Sequence, residues 1–112
     1  MSGYARGVRT EHAAIHHLTG NGYACTRAAS SKGVADVIAI KEWQVLLVSC
    51  KTSRYPGPAE RTELVRVARL LPDVGVPLVA IGTPAKLTYR RLLGVGLAEW
   101  EPWTPDTIGP PC

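Results

Sequence analysis

The sequence predicts an α/β domain in which a mixed central β-sheet is flanked by helices, in the order α-β-β-β-α-β. Three observations predict it. Residues 34–40 and 45–50 are runs of β-branched and aliphatic residues separated by the polar break Lys41-Glu42-Trp43-Gln44, the pattern of a β-hairpin. Residues 45–50 are apolar on both faces, as a central strand covered by helices on each side should be. Residues 7–19 and 59–71 carry apolar side chains at helical spacing, one segment before the hairpin and one after it.

Size and composition fit this class. At 112 residues, with 46% hydrophobic and 20% charged, the chain holds about one core and reads as an ordinary soluble globular protein. We expect a single domain over residues 1–100 and a proline-rich tail over 101–112 without regular structure of its own, whose Trp103, like Trp100 before it, needs covering. The start, MSGYARGVRTEH, has no signal-peptide apolar core and no run is long enough to span a membrane, so the expected location is cytoplasmic. Cys25, Cys50 and Cys112 give neither a disulfide framework nor zinc spacing. A net charge of +4 with arginine outnumbering lysine favours a polyanionic partner.

In the first helix, Val8, Ile15 and Leu18 form the apolar stripe, and Glu11 falls on it. A carboxylate there is either a first-turn acid that favours the helix dipole and reaches water, or a group held inward for a purpose. His12, His16 and His17 project from the other side as a solvated face, with no further ligand to complete a zinc set. Gly20-Asn21-Gly22 ends the helix, and a strand follows over residues 23–28. Ser30-Ser31-Lys32-Gly33 is a polar turn into the hairpin.

Within the hairpin, Asp36 shares a face with Ile38 and Ile40, and Lys51 with Ser49 and Leu47. A loop with an even number of residues pairs Ile40 with Val45 and sets Asp36 opposite Ser49, gathering Asp36, Ser49 and Lys51. An acid and an amine emerging from apolar strands are costly to desolvate unless something charged meets them, which marks a candidate site. The segment Thr52-Ser53-Arg54-Tyr55-Pro56-Gly57-Pro58 is a loop that carries Arg54 and Tyr55 beside this site. The second helix turns Leu64, Val67, Ala68 and Leu71 inward and leaves Arg61, Arg66 and Arg69 on its surface. Residues 76–81 form a further strand, and residues 87–92 suggest another.

Asp36 followed by Ser49-Cys50-Lys51 resembles the PD-(D/E)xK nuclease core. Arg6-Gly7 with Glu11, then Gly22-Tyr23 and Arg27-Ala28-Ala29-Ser30-Ser31-Lys32, resemble the archaeal-type Holliday junction resolvases in order and spacing, over roughly residues 4–54. The resemblance implies a restriction-endonuclease-like fold and metal-dependent hydrolysis of four-way DNA junctions by a homodimer. It implies catalytic roles for Glu11, Ser31, Asp36, Ser49 and Lys51, with Glu11, Asp36, Ser49 and Cys50 around Mg2+ or Mn2+. Arg6, Arg9, Arg27, Ser30, Lys32, Arg54 and Tyr55 are the expected DNA contacts.

The chain departs from the family pattern at Ser49, where the motif carries an acid. A hydroxyl is a poor substitute for a hard anionic ligand, so metal affinity should fall. This admits an inactivated form, a weakened enzyme, or recruitment of another acid such as Glu60 or Glu42. The competing functions are another nuclease of the same superfamily, of repair or restriction type, and a junction-binding module without chemistry.

Overall fold

In the computed structural model, which describes residues 2–28, 35–52, 55–83, 85–94 and 99–105 with side chains from Arg9 onward, six strands form one sheet in chain order. The elements are α1 (Ser2–Gly20), β1 (Ala24–Arg27), β2 (Val37–Lys41), β3 (Gln44–Lys51), α2 (Pro58–Ala68), β4 (Gly75–Thr83), β5 (Lys86–Leu92) and β6 (Trp100–Trp103). All neighbouring strands are antiparallel except β3 and β4, which run parallel. A parallel pair needs a crossover, and α2 supplies it.

The hairpin register is the one its sequence pattern requires. Ile40 pairs with Val45 and Lys41 with Gln44, which leaves Glu42 and Trp43 as a two-residue loop, with Glu42 at φ 50°. Alternation along β3 then builds two cores. Leu46, Val48 and Cys50 face Ala14 and Leu18 of α1, joined by Tyr89 and Trp103. Leu47 faces the other way, onto Leu64, Val65 and Ala68 of α2, with Val79 and Leu92. Leu18, Leu46, Leu64 and Leu78 are fully buried, and truncating any one of them to Ala should cost roughly 2–5 kcal/mol.

Three features differ from the sequence reading. The inward face of α1 is Thr10, Ala14 and Leu18, with Ile15 and Glu11 at its flank, because the buried Thr10 satisfies its hydroxyl on the Gly82 carbonyl at 3.0 Å. Helix α2 stops at Ala68 and Leu71 is exposed; Pro72 biases the residue before it away from helical geometry. Arg61 is buried, not on the surface, its guanidinium donating to the Pro56 carbonyl at 2.6 Å.

The tail also departs from expectation. Residues 100–103 are strand β6, paired with β5, and Trp103 is buried edge-on against Tyr89. Proline is tolerated there because β6 is an edge strand. Residues 106–112, with Cys112, lie outside the described residues.

Helix α1 ends as Gly20-Asn21-Gly22 predicts. The Tyr23 amide donates to Leu18 and the Gly22 amide to Thr19, a Schellman closure that places Gly22 at φ 94°. No described helix is long and apolar enough to cross a membrane.

Candidate active site

The site is built where the β2–β3 ladder breaks. Val37 pairs with Val48 in register, yet the Asp36 amide also donates to the Val48 carbonyl, at 2.8 Å. Two residues of one strand thus meet one of the other, the signature of a bulge, which re-aims the side chain it carries. On its other side Asp36 keeps the β1 ladder, accepting the Ala28 amide at 2.9 Å. The expected placement of Asp36 directly opposite Ser49 is therefore corrected: strand alternation assumes an unbroken ladder, and the ladder breaks at this residue.

The bulge lets the Asp36 carboxylate cap the end of β3, where its Oδ2 accepts the Cys50 amide at 2.8 Å. Burial raises the Asp36 pKa most. The Cys50 amide lowers it, the Glu11 charge raises it, Lys51 lowers it and Glu60 raises it. Glu11 from α1, Lys51 from the end of β3 and Glu60 from the first turn of α2 thus all bear on Asp36 at the head of β2.

Each of these neighbours has a partner. Lys51 donates to Glu60 Oε2 at 2.8 Å. Glu11, whose side chain is only 16% exposed, accepts from Arg27 Nε at 2.6 Å, which explains how a carboxylate is accommodated at the flank of the packed helix face. Arg27, expected at DNA, is thereby also the counter-ion of Glu11. Arg9 is exposed on α1, two residues before Glu11.

Ser49 is 2% exposed, and its Oγ has no hydrogen-bond partner among the described residues. The Cys50 thiol is buried in the α1-side core. Burial first, then the negative charges of Asp36 and Glu11, push its pKa far up, so it stays a thiol, and only its backbone serves the site.

Tyr55, expected at the DNA, is half-buried. Its ring packs against the α2-side core with its hydroxyl buried, flanked by the guanidinium groups of Arg61 at 5.5 Å and Arg90 at 5.4 Å. Arg90 also lies over Trp100 at 4.3 Å, so these side chains tie the loop after β3 to β5 and β6. Ser30, Ser31, Lys32 and Arg54, and the side chain of Arg6, lie outside the described residues. His12, His16 and His17 are exposed as expected, and His17 Nδ1 is 3.0 Å from the Tyr89 hydroxyl.

Among the described residues, no three His, Cys, Asp or Glu side chains gather closely enough to hold a metal ion unaided. Mg2+ does not require such a cage: it binds through one or two carboxylates, its own waters and substrate phosphates. The oxygen donors here, a bulge-mounted carboxylate and a buried hydroxyl without a partner, fit that class of ion. Sequence reasoning did not anticipate the ion pairs of Lys51 with Glu60 and of Glu11 with Arg27. The only signal for the first was an acid in the opening turn of the helix after the Lys51 loop.

The structure resembles that of Hjc, a Holliday junction resolvase from the archaeal hyperthermophile Archaeoglobus fulgidus, with a TM-score of 0.64 and 23% identity over 77% of this chain and 75% of that one. At that identity the likeness establishes the fold, which is restriction-endonuclease-like. No curated protein matches the chain. Residues 2–80 match the family model of the archaeal Holliday junction resolvases, a span that takes in α1, the bulge at Asp36, Lys51 and Glu60, and the chain belongs to that family.

Proposed function

We propose that this chain resolves four-way DNA junctions by divalent-metal-dependent phosphodiester hydrolysis, with Mg2+ or Mn2+ held at Asp36 and two protomers acting as a homodimer. Family membership makes it a junction resolvase and implies a nuclease acting on branched DNA. The observation that supports the chemistry is the Asp36 carboxylate, re-aimed by the bulge and fixed by the Cys50 amide beside Lys51.

A divalent ion bound there would supply a water of lowered pKa and neutralise charge on the scissile phosphate. The residues of the chain do the remainder. Asp36 offers an anionic oxygen whose direction the Cys50 amide fixes. The Cys50 carbonyl offers a neutral oxygen. Lys51 brings a positive charge that can orient the attacking water and meet charge building on the phosphate oxygens. Arg9 and Arg27 carry positive charge on α1 and β1 for the flanking phosphates, together with Arg6, Ser30, Lys32 and Arg54 in the family pattern, in which Ser31 lies close to the scissile phosphate. Two identical sites related by a two-fold axis suit two opposed strands of a junction.

Ser49 favours one second reading, a junction-binding module with little chemistry, because a neutral hydroxyl stands where an acid would add ligand charge. Competition binding and Mg2+-dependent cleavage of a labelled four-way junction against linear duplex of the same sequence separate the two. A resolvase binds the junction preferentially, with affinity that falls steeply as salt rises, and cuts it in Mg2+. Preferential binding without cleavage selects the second reading, and equal affinity for both DNAs defeats both.

A further inference from the structure

Ser49 and Lys51 lie on the same face of β3, the one that Leu47 turns toward α2. On that side Ser49 buries a hydroxyl with no partner among the described residues, a costly arrangement unless something polar enters. Glu60 stands on the same side, in the first turn of α2, with its carboxylate on the Lys51 ammonium at 2.8 Å. Its side chain is 51% exposed, so it reaches Lys51 without being locked into the core.

The charge around Asp36 is unbalanced. Glu11 and Glu60, from separate elements, both bear on it with negative charge; Arg27 pairs with Glu11 and Lys51 with Glu60, so three carboxylates face two cations. A carboxylate held on Lys51, two residues along the same face of β3 from the buried Ser49 hydroxyl and next to the Cys50 amide that holds Asp36, is placed where a small hard cation can join it to Asp36. Glu42 cannot share the task. It sits in the β2–β3 turn, at the far end of the eight residues of β3, roughly 20 Å from Lys51 at the rise of an extended strand.

We infer that Glu60 is a carboxylate ligand of the divalent-cation site at Asp36, supplying from α2 the negative charge that Ser49 on β3 lacks. The inference rests on the reading of Asp36 as the centre of that site. Engagement of Glu60 there would release the Lys51 ammonium from its present ion pair toward the substrate phosphate.

The test is thermal unfolding of the DNA-free protein titrated with Mn2+, run beside junction binding in EDTA. The wild type should gain stability with Mn2+. Glu60→Gln should need at least about tenfold more Mn2+ for the same gain, the scale on which loss of even a ligand's supporting partner weakens a metal site. The variant should bind junctions in EDTA as tightly as the wild type or more tightly. Ser49→Glu placed in the Glu60→Gln background should recover the Mn2+ response, which a purely structural role for the Lys51–Glu60 pair would not produce. A Glu60→Gln protein that responds to Mn2+ as the wild type does would overturn the inference, and so would a wild type with no Mn2+ response. Loss of preference for junctions over duplex would instead strike the resolvase reading, while the Mn2+ titration, run without DNA, decides the role of Glu60 independently.

Discussion

Asp36 Oδ2 and the backbone amide of Cys50 lie 2.8 Å apart, a hydrogen bond between the head of β2 and the end of β3 that the bulge at Asp36 makes possible. It fixes the direction of the carboxylate without a second side chain. It also offsets part of what burial and the nearby acids do to the proton affinity of Asp36.

The net effect on Asp36 is still a raised pKa, with burial as its largest cause. A carboxyl that holds its proton more tightly folded than unfolded contributes stability below the unfolded value and loses it as pH rises through the folded one. At neutral pH Asp36 therefore costs stability. Asp36→Asn should melt at a higher temperature than the wild type at neutral pH, and the gap should shrink as pH falls toward the ordinary carboxylate value of 3.8. Thermal unfolding of both proteins across that range decides it, and a gap that widened toward acid would contradict the assignment.

The Glu11–Arg27 pair should couple measurably, because Glu11 is largely withdrawn from water. Arg27→Ala is expected to cost on the order of 1 kcal/mol, with a double-mutant cycle against Glu11→Gln giving a coupling of about 0.5–1 kcal/mol that diminishes in high salt. Additive single mutants would show that the pair holds nothing together.

Tyr55→Phe should leave junction affinity unchanged and be neutral or stabilising by up to about 1 kcal/mol, since it removes a buried hydroxyl without a partner among the described residues and keeps the ring between Arg61 and Arg90. Chemical denaturation and a junction titration measure the two effects. A marked loss of junction binding would put the Tyr55 hydroxyl at the DNA, the role its place in the sequence suggests.

Features that follow from periodicity were legible in the sequence. The pairing of Ile40 with Val45, the two-sided burial of β3 and the end of α1 at Gly22 all follow from alternation, composition and the left-handed tolerance of glycine. Features that depend on tertiary contact were not. Asp36 left its expected register because a bulge is a local break in the rule that predicts register. Thr10 entered the core because a carbonyl 72 residues away satisfies its hydroxyl. Residues 100–103 became β6 because an edge strand tolerates the proline that argues against a central one. For the site, Asp36, Lys51 and Glu11 were named from motif spacing, while the ion pairs that hold Lys51 and Glu11 join elements distant in the chain and leave no periodic trace.

Asp36 is proposed to anchor the metal-dependent chemistry of the junction resolvase. The most direct measurement compares Mg2+-dependent cleavage and EDTA-condition binding of a labelled four-way junction by the wild type and Asp36→Asn. Cleavage should be lost while junction binding is retained or tightened, because a ligand charge disappears with almost no change in shape and less repulsion of phosphate. Cleavage by Asp36→Asn at the wild-type rate would contradict it and place the metal site elsewhere in the chain.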